Sequence, residues 1–257
     1  MNQMPLSLEI SFIALLCILA GALLGGIVRK FLPKRYLDSE TKDVVKLTVG
    51  LIATLTALVL GLLIATAKSA YEAKDSQIKQ ITANVVQLDF ALAEFGQDAT
   101  ELRNMLRRAI NPMADQIWIE SRVAKAPATA FEALAEGKAF YSAMFQLTTR
   151  NESQRLLRDR ALKLTGDLVQ SRLVLFASIG SPIPLLFLII LISWIAILFT
   201  GFGVLLRANP VAISAVVLCA VVASGAFYLI LDLGQPFSGL MAIPSEPLRN
   251  ALIPLAQ

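Results

Sequence analysis

Four uncharged apolar runs, each long enough to cross a bilayer, constrain this chain more than any other feature. Between Glu9 and Arg29 lie 19 uncharged residues, 10–28, and between Lys46 and Lys68 another 21, 47–67. At about 1.5 Å per helical residue either run covers roughly 30 Å, the thickness of the hydrocarbon core. From Arg172 to Arg207 no charge occurs for 34 residues. The breaker cluster Ser178-Ile-Gly-Ser-Pro-Ile-Pro184 opens that run, so the third span is expected over 184–206. Residues 208–231 form the fourth, separated from the third by the turn residues Arg207-Ala208-Asn209-Pro210. Composition agrees. Only 16% of the 257 residues are charged and 56% are hydrophobic, whereas a soluble domain carries about a quarter charged residues.

The N-terminal run is read as a retained span. Ala20-Gly21-Ala22 resembles a cleavage site, but no basic residue precedes the apolar stretch, and Arg29-Lys30 follow it. A signal peptide has the reverse charge layout. Arg29, Lys30, Lys34 and Arg35, with Lys42 and Lys46, make 29–46 a basic loop. The positive-inside rule then places that loop in the cytoplasm, and the N-terminus and the segment between spans two and three outside it.

That segment, 68–172, reads as a helical soluble domain. From Ile78 the apolar residues Ile81, Val85, Leu88, Leu92 and Phe95 follow at steps of 3, 4, 3, 4 and 3, a coiled-coil-like seam continuing from span two. Gly96 predicts its end, and Asp98 with Glu101 predicts a capping box for a second helix bearing Leu102, Met105, Leu106, Ala109, Met113 and Ile117. Thr129 with Glu132 predicts a third helix, and a fourth is expected from about Asn151 toward span three. The fold class is therefore all-α: four membrane spans, a helical domain between the second and third, and a tail over 232–257.

Chemistry is hard to place. The chain has no histidine, and its two cysteines, Cys17 and Cys219, sit in apolar runs. Histidine bases, histidine metal sites and paired-cysteine zinc sites are thereby excluded. Neither an enzyme nor a cofactor or metal is expected. The small net charge, +4, is concentrated in the first loop and argues against a nucleic-acid partner.

Two places invite a functional reading. Span two sets Ala53, Ala57, Gly61 and Ala65 four apart, with Thr54 beside them, and span one contains Gly21-x-x-x-Gly25. Small residues at this spacing let helices approach closely, either within one subunit or between copies around a pore. No charge lies deep in any span, which argues against a proton- or ion-coupled transporter. The second place is the exit of span four, Asp232-Leu-Gly-Gln-Pro236-Phe237-Ser238-Gly239. There Asp232 is expected to pair with a basic neighbour and Phe237 to anchor the chain at the interface.

This C-terminal signature resembles that of the bacterial bestrophin-like family, with Asp232, Pro236, Phe237, Ser238 and Gly239 matching its pattern. The likeness extends to the basic loop after span one, the long helical middle and the closing hairpin. Gly234 departs from it, where an acidic residue is common, and so does Gln235, where Arg or His is frequent. The resemblance implies an oligomeric anion channel; with the small-residue stripe, the expectation is a homo-oligomeric channel in the plasma membrane with span two lining the pore. In bestrophins the large domain is cytosolic, opposite to the charge-based orientation, and their acidic ion-binding cluster has no counterpart here. A membrane sensor or scaffold, whose helical domain binds a ligand or protein partner, is the alternative. Expected partners are thus the lipid bilayer, further copies of the chain and, on the alternative reading, that protein partner.

Overall fold

The computed structural model describes residues 6–33, 39–120, 138–177, 185–205 and 209–253. Among these the regular structure is helical: α1 (Leu6–Phe31), α2 (Ser39–Phe95), a 3-10 turn (Gln97–Ala99), α3 (Thr100–Glu120), α4 (138–145), α5 (Glu152–Ala177), α6 (Leu185–Leu205), α7 (Pro210–Leu233) and the short α8 (Glu246–Arg249). Four of them are long and apolar enough to cross a membrane: α1, α2, α6 and α7. The protein is an all-α membrane protein. It divides into two compact units, residues 1–70 with 181–235, and residues 71–180 with 236–257.

In the first unit α1 packs against both α6 and α7. Its face of Ala14 and Ile18 is fully buried among Leu191, Ile195 and Phe227. The Gly21–Gly25 pair explains why α1 and α6 lie so close. A Cβ on Gly21 would fall 2.4 Å from the Ala196 carbonyl oxygen, and one on Gly25 2.1 Å from that of Thr200. Gly203 returns the contact, since its Cβ would sit 2.2 Å from the Ala22 carbonyl oxygen. Only glycine hydrogens leave room for backbone to meet backbone here. Polar contacts fix the register. Ser224 Oγ donates to the Ser11 carbonyl at 2.7 Å in the apolar interior, and Arg29 Nη1 donates to the Leu205 carbonyl at 3.2 Å, near the C-terminal end of α6. At the start of α7, Asn209 Oδ1 accepts from the Val211 amide at 3.1 Å, with Pro210 occupying the first helical position.

The second unit is built on the α2 seam. Ile78, Ile81, Val85, Leu88, Leu92 and Phe95 are all at most 3% exposed, so the predicted periodicity is the packing face. Gly96 follows at φ 107°, a left-handed conformation that suits glycine and ends the helix. α3 buries Leu102, Leu106, Ile110, Met113 and Ile117 against the seam. Ala109, expected on this face, is exposed, and Ile110 takes its place one position on. The expected capping box does not form. Asp98 lies in the 3-10 turn and pairs with Arg150 at 3.0 Å, while Glu101 pairs with Arg108 at 2.8 Å. Asn151 does cap α5, its Oδ1 accepting from the Gln154 amide at 2.8 Å. The expected third-helix cap at Thr129 and Glu132, the breakers at 178–184 and the residues Arg207-Ala208 fall outside the described residues.

Candidate pore-lining face and C-terminal signature

α2 packs within the first unit by one narrow face. Val49, Thr56 and Ala67 are buried, at spacings of seven and eleven that return to the same side of a helix. Val49 occupies the notch above Gly201, where an added Cβ would come within 2.5 Å of Val49 Cγ2. The predicted stripe runs along a different side. Ala57, Gly61, Ala65 and Thr54 are exposed in the single chain, and Ala53 is half-buried at the stripe's margin. Gly50 extends the stripe by one turn. A Cβ on Gly50 or Gly61 would meet nothing within 4 Å, the reverse of Gly21 and Gly25. Only 11% of the most apolar stretch of α2 is buried, against 33% for α6, so α2 has the largest unused surface of the four. The structure thus separates two small-residue motifs that look alike in sequence: the one on α1 is consumed inside the subunit, and the one on α2 is open.

The exposed hydroxyls of Thr54, beside the stripe, and of Thr66, on the side of Leu62, are committed to the helix. Thr54 Oγ1 donates to the Gly50 carbonyl at 2.9 Å and Thr66 Oγ1 to that of Leu62 at 2.8 Å. In this state each presents lone pairs outward, which suits a cation or water. To meet an anion, the hydroxyl must rotate and turn its proton outward, giving up the backbone bond. The face is therefore apolar and weakly polar at once, with no fixed charge.

The C-terminal signature straddles the division between the units. Asp232, 1% exposed, belongs to the first, where the Tyr228 hydroxyl donates to Oδ1 at 3.3 Å. α7 ends at Leu233, the residue after Asp232, and the amide of its cap Gly234 reaches the Ile230 carbonyl. Pro236, Phe237, Ser238 and Gly239 belong to the second unit, and here the structure corrects an expectation. Phe237 does not anchor the chain at an interface: it is 3% exposed and packs edge-on against Trp118 of α3, ring centres 5.5 Å apart. Trp118 Nε1 donates to the Ile243 carbonyl at 2.8 Å, and the Ile243 amide returns the chain to the Pro236 carbonyl at 2.8 Å. Gly239, at φ 101°, makes the reversal between them possible. Leu248 and Leu252 continue the packing, and Arg249 pairs with Asp115. The tail is thus a working part of the helical core. Phe237 reads as an interfacial residue in sequence because its partner, Trp118, is 119 positions away.

Of the basic topology residues, Arg29 is half-buried at the end of α6 and Lys30 is exposed, while Lys34 and Arg35 lie outside the described residues. Sequence reasoning missed two features. Asp89, fully buried on α2, is held by Arg103 through Nε at 3.0 Å and Nη2 at 2.8 Å, with Arg107 Nε 3.8 Å away. The signal was an acidic residue one position after the seam residue Leu88. The other is Gly203, with its neighbour Gly201, on α6. Among the described residues no group of three or more Cys, Asp or Glu side chains is placed to hold a metal ion.

A family model described as the bestrophin-like domain matches residues 15–248, nearly the whole chain. The chain belongs to the bestrophin-like family. The match begins within α1 and runs through both units to α8, so the signature loop around Phe237 and the open face of α2 are both inside the bestrophin-like domain. No curated protein and no solved structure matches the chain.

Proposed function

We propose that this bestrophin-like chain is the subunit of a homo-oligomeric anion channel in the plasma membrane, in which α2 of each copy lines the conduction path. The observation that carries the reading is the open face of α2, where Gly50 and Gly61 have nothing within 4 Å of an added Cβ. A membrane helix with small residues turned outward presents little bulk. Copies of it can approach closely and still leave a narrow passage, and the Thr54 hydroxyl can hydrate an ion there after proton rotation. The bestrophin-like domain supports the same reading. The basic loop at Arg29 and Lys30 supports an orientation in which the helical unit lies outside the cytoplasm. Nothing in this function asks the chain to make or break a covalent bond.

Purified protein reconstituted into chloride-loaded liposomes tests the proposal. Chloride efflux above that of empty liposomes is expected, and Gly61→Leu should lower both the flux and the mass of the detergent-solubilised particle. Absence of efflux at any protein-to-lipid ratio, with the oligomer intact, overturns the channel reading. A Glu94→Cys probe on a Cys17→Ala/Cys219→Ala background should react with an impermeant thiol reagent in intact cells. Labelling only after permeabilisation reverses the orientation.

A further inference from the structure

Beside the apolar seam of α2 runs a second, polar stripe, Gln77, Gln80 and Asn84, at steps of three and four along the same helix. Across from it α5 offers Asp167, Gln170 and Ser171, and the two helices line an open groove of about 300 Å³ to which Val174 also contributes. Such a volume is at the small end of the range for small-molecule sites, which begins at about 300 Å³.

Two of the residues lining the groove carry buried polar atoms that the protein leaves unsatisfied. Asn84 is 3% exposed, and its Oδ1 accepts from Gln80 Nε2 at 3.1 Å, while its buried Nδ2 has no partner. Turning both amides over preserves their mutual bond and merely makes Oδ1 the orphan, so one buried polar atom of Asn84 is unpaired in either assignment. Gln77 Oε1 is likewise buried and unpaired. Buried amides left in this state are destabilising, and native interiors contain few of them. A groove serving only to pack α2 on α5 would be better filled by leucine at position 84. Asp167 adds a carboxylate with no ion-pair partner among the described residues, and no basic side chain lines the groove.

From these three features we propose that the groove is a binding site for a small primary-ammonium compound that also carries an amide, such as an amino-acid amide or the first residue of a peptide. The ammonium group pairs with Asp167. An amide supplies both a donor and an acceptor from one neutral, planar group, so it satisfies Asn84 and Gln77 in either orientation of their side chains. Such a site would bind its ligand whether or not the chain conducts ions.

Glycinamide is the probe, titrated calorimetrically into the full-length protein in detergent, with acetamide and methylammonium as its two halves. Saturable glycinamide binding is expected, at least tenfold tighter than either half. Asp167→Asn should weaken it about tenfold, the loss of one charge-assisted hydrogen bond. Gln77→Leu and Asn84→Leu should abolish binding while raising the melting temperature of the unliganded protein, because the orphan amide is gone. Gln77 is only half-buried, so its variant keeps the test meaningful if Asn84→Leu fails to fold. Absence of saturable binding to the wild-type protein overturns the proposal. So does wild-type affinity in Asp167→Asn or in Gln77→Leu, or a melting temperature that falls in Gln77→Leu.

Discussion

Gly25→Ala is the smallest change that tests how the first unit is held together. The added methyl would lie 2.1 Å from the Thr200 carbonyl oxygen and 2.9 Å from Gly203 Cα, well inside the 3.4 Å at which ordinary contact begins. Both obstacles are backbone atoms, so no side-chain rotation relieves the clash, and α1 and α6 must separate. Separation also loosens the Gly21–Ala196 and Gly203–Ala22 contacts on the same interface. Overpacking of this kind costs about 1–3 kcal/mol, set against a helix-propensity gain of up to about 1 kcal/mol for replacing glycine by alanine. Gly26 provides the control. Its Cβ would meet nothing within 4 Å, so Gly26→Ala carries the propensity gain alone and should leave stability unchanged or slightly raised. The assay is reversible unfolding in mixed micelles, followed by far-UV circular dichroism against rising sodium dodecyl sulfate. Gly25→Ala should unfold at clearly lower denaturant than Gly26→Ala. Coincident midpoints for the two variants would refute the close α1–α6 packing.

Arg103→Ala should destabilise the second unit by about 3–5 kcal/mol, since it strips the bidentate partner from the fully buried Asp89 carboxylate; chemical denaturation checks this, and an unchanged midpoint would mean Arg107 holds Asp89 alone. Trp118→Phe keeps the aromatic packing on Phe237 but removes the donor to the buried Ile243 carbonyl, at a cost of about 1–3 kcal/mol and with faster proteolysis of the C-terminal tail. Lys74, 9% exposed and in line with the seam, has its pKa lowered from 10.5 by burial. Between its folded and unfolded pKa values the unfolded chain holds more protons, so stability rises with pH and levels off above 10.5. Lys74→Met should remove that alkaline slope in denaturation curves and raise stability at neutral pH; persistence of the slope would assign it to another group.

The spans and the α2 seam were legible in the sequence because each depends on a local periodicity. A charge-free run of about 20 residues has few fates besides a membrane, and the 3–4 spacing from Ile78 to Phe95 defines one helix face whatever packs on it. Ile110 replacing Ala109 shows the limit of that logic, since steps of four then three from Leu106 to Met113 keep the stripe as well as three then four. The two small-residue motifs were legible as motifs but not in their use. Gly21 and Gly61 have similar local surroundings in sequence, and only the position of α6 decides that the first is filled and the second open. Phe237 and Asp89 were misread or missed for the same reason. Their partners, Trp118 and Arg103, are brought to them by the fold, and no local pattern announces a pair separated by a turn or by half the chain.

The central claim is that α2 lines a conduction path, and thiol block at Thr54 tests it most directly. On a Cys17→Ala/Cys219→Ala background, Thr54→Cys should support chloride flux in liposomes, and a small charged methanethiosulfonate reagent should arrest it. Ile13→Cys, on the exposed face of α1, should react with a membrane-permeant thiol reagent yet leave flux unaltered. Flux through Thr54→Cys that continues after complete modification would contradict the account and move the path away from α2.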